Sequence, residues 1–275
     1  MYRQPFRALL AVAALAISLV AAPAFSQSPP KDVVRVDILP GWRTENGTHM
    51  AGLRIRLAPG WKTYWRSPGA AGIPPSFSWS GSRNLESVRF LWPTPKVQMQ
   101  SGLKTVGYSG EVIIPMEFTP KPGGAGRAIT LRTQMELGVC QDICLPTTVT
   151  LRAELPAGGR PDPAILASIR NRPATEEEAG VGRVICEVEP ISDGLRVTAT
   201  IEVPDQGGEE FSIMELPDER IWISEAITRR KGNRLISTAE MVPPNAAPFM
   251  LSRSDLRITI LGKNGAVDVR GCSAG

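Results

Sequence analysis

The feature that most constrains the fold is an alternation of apolar and polar residues with a period of two, repeated along most of the 275 residues. Such alternation is typical of antiparallel strands that bury one face and expose the other. The chain contains 26 glycines and 25 prolines, so turns are frequent and long helices are not expected. We therefore predict an all-β, sandwich-like fold, with its clearest strands at 53–57, 112–118, 129–135, 149–153 and 195–203.

The alternation is interrupted once, at residues 156–180. Asp162 and Pro163 can begin a short helix that continues to Arg170, and the acidic run that starts at Glu176 is interpreted as a solvated linker face. These observations predict two antiparallel β-sandwich domains, at 27–155 and 181–275, joined by a linker with a short helix.

The first 26 residues predict a secretory signal peptide. Arg3 and Arg7 precede an apolar run at 8–22, and small residues follow at a possible cleavage site. No other stretch is long enough to span a membrane, so we expect an exported protein with no stable membrane span after cleavage. The net charge is only +4 and no basic cluster is visible, which excludes a typical nucleic-acid-binding protein.

Cys140 and Cys144 are separated by three residues and flanked by predicted strands. The pair should therefore lie at the tip of a hairpin, where Gly138 could adopt the left-handed conformation of a bulge. A disulfide that closes so small a loop adds little stability, whereas exposed or strained disulfides exchange easily. Glu136 and Asp142 would raise the pKa of a thiol here, and the hairpin itself has no basic residue.

Three interpretations of the pair remain open at this point. It could be a permanent structural clip, a dithiol that exchanges electrons with a partner protein, or a Cu(I) site assisted by Met135 or His49. His49 is the only histidine, which excludes a histidine-rich metal site. The other two cysteines, Cys186 and Cys272, lie near the two ends of the second domain, and we predict a structural disulfide between them.

Two ordered stretches, together with the cysteine hairpin, resemble the N-terminal periplasmic domain of the thiol:disulfide interchange protein DsbD. They are Gly60 to Gly69 (GWKTYWRSPG) and Gly110 to Phe118 (GEVIIPMEF). The similarity is greatest to the ScsB-like branch, which also carries a second β domain. The resemblance implies an immunoglobulin-like sandwich and a periplasmic location. It also implies a protein-disulfide reductase component without a cofactor, whose catalytic, redox-active pair is Cys140 and Cys144.

The family's pair receives electrons from a membrane-embedded domain and reduces disulfides in other proteins. This sequence ends at Gly275 without such a domain. We therefore expect a stand-alone chain that acts with a separate membrane-embedded reductase and with periplasmic thioredoxin-like or disulfide-bearing proteins. The better-exposed cysteine should be the attacking thiol. The alternatives are a periplasmic copper-tolerance protein that uses the same two thiolates and a non-catalytic interaction module.

The sequence departs from DsbD at the cover of the pair. Three residues separate the cysteines, as in the ScsB-like branch, where DsbD has five. The region that corresponds to the DsbD cap loop, at 96–101, has neither acidic nor aromatic residues. We therefore expect Met99 or Tyr108 to shield the sulfurs, and Tyr64 and Trp65 to form a possible partner-facing surface.

Overall fold

The computed structural model describes residues 33–69, 71–100 and 102–275. The predicted signal peptide at 1–26 therefore lies outside the described residues. Within the described ranges, no helix is both long and apolar enough to cross a membrane.

The first part of the chain forms ten strands, in agreement with the predicted alternation. They are β1 (Val34–Arg43), β2 (His49–Leu57), β3 (Lys62–Gly69), β4 (Ser76–Ser78), β5 (Ser87–Phe90), β6 (Lys96–Gln100), β7 (Leu103–Ser109), β8 (Glu111–Thr119), β9 (Ile129–Cys140) and β10 (Cys144–Leu155).

These strands form two antiparallel sheets that pack face to face. The first sheet has the order β1-β2-β8-β5; the second has the order β10-β9-β3-β7-β6, with β4 also paired to β9. In β9 the apolar residues at alternate positions point into the core between the sheets, and Ile129, Leu131, Met135 and Leu137 are almost fully buried. The burial of this face is the main stabilising contribution to the sandwich.

The predicted linker contains two short helices, α1 (Pro163–Arg170) and α2 (Glu176–Ala179). As predicted, Asp162 caps α1 by accepting hydrogen bonds from the next helical N–H groups, and a proline occupies its first turn. The acidic run is a capped helix instead of a bare solvated face. In α2, Thr175 and Glu178 form a reciprocal capping box. The boundaries of the two domains stay a prediction.

The second part of the chain also consists of short strands. They are β11 (Ala174–Thr175), β12 (Val184–Pro190), β13 (Leu195–Glu202), β14 (Phe211–Glu215), β15 (Trp222–Ile223), β16 (Ile227–Lys231), β17 (Arg234–Val242), β18 (Arg257–Leu261), β19 (Ala266–Arg270) and β20 (Ser273–Ala274), with a 3-10 turn at Pro244–Ala246.

These strands form a second sandwich. One sheet has the order β11-β19-β18-β14, and the other has the order β15-β17-β13-β12-β20, with β16 also paired to β17. Two pairs, β11 with β19 and β12 with β20, are parallel, and each involves only two residues per strand. The predicted all-β fold with two sandwiches is thus confirmed, with these two short parallel exceptions.

The two sandwiches share a buried contact. Phe211 and Ile213 alternate on one face of β14 and belong to the same apolar cluster as the core of the first sandwich. Leu261 and Ala266, from β18 and β19, extend this contact. Met214 and Ile260 lie on the opposite face of the same sheet and belong to the core of the second sandwich. The sheet that contains β14 is therefore apolar on both faces, and its outer face packs against the first sandwich.

Candidate functional site

The β9–β10 hairpin places the two cysteines opposite each other at its turn end. Its ladder runs without a register shift from the Ile129–Leu155 pair to the Cys140–Cys144 pair, and only 141–143 connect the strands. The two cysteines are joined by a disulfide. A long regular ladder therefore presents a small disulfide ring at its end.

The two sulfurs differ in access to solvent. Cys140 is completely buried, whereas Cys144 is half-buried. Ile143, which directly precedes Cys144, has 65% of its surface exposed. A reagent or partner protein that approaches the hairpin tip therefore reaches Cys144 first.

Polar side chains from two other strands contact the sulfurs. The Tyr64 hydroxyl on β3 lies 2.9 Å from Cys140 Sγ and 3.3 Å from Cys144 Sγ. Gln100, at the end of β6, donates from Nε2 to Cys144 Sγ at 3.1 Å, and its Oε1 lies 2.8 Å from the Tyr64 hydroxyl. Burial raises the pKa of the Tyr64 phenol, so the hydroxyl stays protonated near neutral pH and can donate a hydrogen bond.

The neighbouring strand places Lys62 on the same face of the sheet as Cys140. The Lys62 Cα is the cross-strand partner of Cys140 in the β3–β9 ladder, so the two side chains share one face of the sheet. The Lys62 Nζ donates to the Met99 carbonyl at 3.2 Å, and burial lowers the pKa of the Lys62 ammonium. A nearby cation favours the thiolate form of cysteine. The hairpin sequence has no basic residue, but the neighbouring strand brings one to it.

Gly138 is required for packing, and the conformation predicted for it was wrong. Its φ is not positive. A Cβ atom added at this position would lie 2.8 Å from Ile73 Cβ and 3.1 Å from the Tyr64 ring. Because Gly138 lacks a side chain, the Tyr64 ring can lie against β9 and place its hydroxyl at the sulfurs.

Comparisons with known proteins agree with this geometry. Residues 28–156 match the family model described as "Thiol:disulfide interchange protein DsbD, N-terminal". This part of the chain, just under half of its length, resembles the DsbD N-terminal domain family. No curated protein sequence matches the chain.

Two solved structures extend the comparison. The N-terminal periplasmic domain of ScsB from Proteus mirabilis is similar over 88% of this chain and 92% of its own, with a TM-score of 0.63 and 22% identity. This likeness supports the fold of both sandwiches. The reduced DsbD N-terminal domain of Neisseria meningitidis aligns over 49% of this chain and 94% of its own, with 14% identity and a TM-score of 0.30.

Of the four side chains predicted to cover the DsbD-type pair or face a partner, the structure places only Tyr64 at the sulfurs. Tyr108 is buried in the core and donates to the Pro93 carbonyl at 2.7 Å. Trp65 is fully buried and Tyr64 is only 2% exposed, so the prediction that they form a partner-facing surface was wrong. The Met99 side chain is 61% exposed, and only its carbonyl makes a hydrogen bond in this site. Gln100 takes the covering position that we had predicted for Met99 or Tyr108.

The residues suggested as additional copper ligands lie elsewhere in the DsbD-type sandwich. Met135 is buried in the core opposite Val149. His49 is buried on β2, where Nε2 contacts the Pro40 carbonyl, and burial lowers the pKa of its imidazole. Within the described part of the chain, no three His, Cys, Asp or Glu side chains form a metal-binding group.

Cys186 and Cys272 form the second disulfide of the chain. Cys186 lies on β12, and Cys272 directly precedes β20, which pairs with β12. The bond therefore holds the end of the chain against the second sandwich. Cys186 is fully buried, and its carbonyl accepts a hydrogen bond from Arg253.

Proposed function

We propose that this protein is a periplasmic thiol-disulfide exchange protein and that Cys140 and Cys144 are its catalytic pair. The observation that carries the proposal is the unequal exposure of the two bonded cysteines, one fully buried and one half-buried at a hairpin tip. The family of residues 28–156 supports thiol-disulfide chemistry. The periplasmic location is supported by the predicted signal peptide.

The exchange can be written with Cys144 as the sulfur that reacts with partners. A partner thiolate attacks Cys144 Sγ, the Cys140–Cys144 bond breaks, and Cys140 leaves as a thiolate. A second partner thiolate then attacks the mixed disulfide at the partner's sulfur, which forms the partner disulfide and releases Cys144 as a thiolate. Two electrons enter the pair, and protonation of both thiolates gives the dithiol. In the reverse direction, the Cys144 thiolate attacks a client disulfide and Cys140 resolves the mixed disulfide.

The groups around the pair suit the charge that these steps produce. The thiolate that leaves from Cys140 forms beside the Tyr64 hydroxyl and across the strand from Lys62. A hydrogen bond to a charged acceptor is stronger than one to a neutral acceptor. Tyr64 and Lys62 are therefore expected to stabilise the thiolate more than the disulfide, which favours cleavage of the bond.

The proposed partners are thioredoxin-like or disulfide-bearing proteins, with a membrane-embedded reductase as the electron source. Apolar side chains exposed near the hairpin tip would contact them. Ile143 belongs to the tip, while Val97 and Leu103 lie on the β6–β7 hairpin that also carries Gln100. Contact through this surface would bring the sulfur of a partner to Cys144.

The reduction potential of the pair tests this function. The mature protein is equilibrated in graded thiol buffers, trapped with an alkylating reagent, and mapped by mass spectrometry. We expect a reversible two-electron transition of Cys140 and Cys144 between roughly −150 and −300 mV, with Cys186 and Cys272 still bonded. The C140A/C144A variant is the control and should show no transition. A pair that stays oxidised well below this range would be a structural clip, and the proposal would be wrong.

A further inference from the structure

The strand that carries Tyr64 loses its regular pairing just after this residue. The β3–β9 ladder ends at Thr63, and the β3–β7 ladder has a register shift between Tyr64 and Gly69. The ladder pairing of β3 is therefore interrupted after Tyr64 and resumes at Gly69, opposite Thr105. Trp65 is held by its burial in the core of the first sandwich, whereas Arg66 has no partner in either ladder and needs another support.

The second sandwich supplies this support through Arg66. The Arg66 guanidinium donates to both carboxylate oxygens of Glu215 on β14, from Nε and Nη2, at 2.9 Å each. A third bond, from Nη2 to Thr259 Oγ1 on β18, measures 3.2 Å. The guanidinium carbon also lies 3.6 Å from the centroid of the Trp65 ring. A bidentate and stacked arginine has a fixed position, which a lysine could not reproduce.

This pair is unlike the exposed ion pairs of the protein. The side chains of Arg66 and Glu215 are only 14% and 18% exposed, and the apolar contact of Phe211 and Ile213 lies on the same strand. Breaking a buried pair by removing one partner leaves an uncompensated charge and is costly. The position of Arg66, two residues from Tyr64, is therefore strongly coupled to β14.

A second ion pair connects the same region of the second sandwich to the β6–β7 hairpin. Lys104 Nζ contacts Glu209 at 2.8 Å and lies 5.4 Å from the centroid of the Phe211 ring. In the β6–β7 ladder, Lys104 is paired with Met99, next to Gln100. Both elements that contact the sulfurs, β3 and the β6–β7 hairpin, are thus tied to β14 or to the residues just before it.

We infer that the second sandwich is a positioning element for the dithiol, and that Arg66 and Glu215 are positioning residues that act through Tyr64. This inference rests on the proposed function, because it concerns the reactivity of the same pair. It assigns to the second sandwich a role in the chemistry of a site that lies entirely in the first.

The test measures the thiol pKa of Cys144 in the reduced protein, from the pH dependence of its alkylation rate. Glu215→Gln keeps the shape of the side chain and removes its charge. A displaced Tyr64 stabilises the thiolate less, so we expect at least a threefold smaller thiolate fraction at neutral pH, which is a rise in pKa of about 0.5 unit. The control is Glu240→Gln, which removes an Arg196–Glu240 pair contained in the second sandwich and should leave the pKa unchanged.

A double-mutant cycle separates positioning from general destabilisation. In a Tyr64→Phe background, Glu215→Gln should produce no further change in the thiol pKa, because the group through which it acts is gone. If Glu215→Gln does not fold, Arg66→Lys keeps a positive charge beside Glu215 but loses the bidentate geometry, and the same rise is expected. Folding is checked by thermal melting and by resistance of the Cys186–Cys272 bond to reduction.

The outcomes distinguish this inference from the proposed function. An unchanged thiol pKa in folded Glu215→Gln or Arg66→Lys protein would overturn the inference while the exchange function stands. Equal pKa shifts with and without the Tyr64 hydroxyl would overturn it as well. If the unmodified protein shows no reversible reduction of Cys140–Cys144, the proposed function itself fails.

Discussion

The two disulfides should contribute very differently to stability, and the difference can be estimated from the loops that they close. In the chain-entropy relation, the stabilisation grows with the logarithm of loop length. The Cys186–Cys272 bond joins residues 86 apart, whereas the Cys140–Cys144 bond joins residues four apart. The relation gives about 4.6 kcal/mol for the first bond and about 2 kcal/mol for the second, as upper estimates.

The comparison is matched because each pair consists of one fully buried and one half-buried cysteine. Replacing both members by alanine should therefore leave similar packing defects in C186A/C272A and C140A/C144A. The free energy of unfolding is measured for each variant by urea titration, monitored by tryptophan fluorescence and extrapolated to water. We expect the loss in C186A/C272A to exceed that in C140A/C144A by about 2–3 kcal/mol.

A loss in C140A/C144A that equals or exceeds the loss in C186A/C272A would refute this reasoning. The small ring would then be a stabilising clip, and its repeated opening during exchange would threaten the fold. The m-values of the two variants also have to agree with that of the unmodified protein. A changed m-value would mean that the denatured state, and not the native bond, accounts for the difference.

Three further measurements test individual residues. Tyr64→Phe removes a hydrogen bond to a thiolate, worth about 1.5–3 kcal/mol, so the pKa of the Cys144 thiol, measured by alkylation, should rise by about 1–2 units. An unchanged pKa would exclude Tyr64 from thiolate stabilisation. Gly138→Ala forces a Cβ against Ile73 and the Tyr64 ring and should cost about 1–3 kcal/mol in urea unfolding, whereas a cost near zero would mean that the ring moves freely. Burial lowers the pKa of His49 from its usual 6.5, so the unfolded chain binds this proton more tightly. Stability present above about pH 6.5 should then be lost progressively as the pH falls below this value, and the loss should be smaller in His49→Gln.

Much of the fold could be predicted from local patterns. Period-two alternation identified strands such as β9, β10 and β13 because each buries one face over many residues. Asp162 and Pro163 identified the start of α1 because capping is a property of adjacent residues. The parallel pairs β11–β19 and β12–β20 could not be predicted in this way, since two residues are too few to show a period. The capping box of Thr175 and Glu178 was readable in the sequence as a Thr-x-x-Glu pattern.

The site was only partly predictable, and the missing part is non-local. The hairpin placed Cys140 opposite Cys144 because both strands are adjacent in sequence. Tyr64 and Gln100 reach the sulfurs only because β3 and the β6–β7 hairpin belong to the same sheet as β9, and alternation does not specify which distant strands pair. The cover of the pair was sought among large side chains, Met99 and Tyr108, but a glutamine supplies it.

The architecture separates the bond that reacts from the contacts that hold the fold together. The Cys140–Cys144 bond joins the last pair of a twelve-residue ladder, so opening it frees almost no chain. The apolar cluster shared by the two sandwiches and the long loop closed by Cys186–Cys272 do not depend on the redox state of that ring. Tyr64 and Gln100 contact the sulfurs, and the strands that carry them are connected to the second sandwich through Arg66 and Lys104. A carrier that cycles between dithiol and disulfide needs this arrangement, because each cycle must change the charge at the sulfurs without changing the surface that the next partner meets.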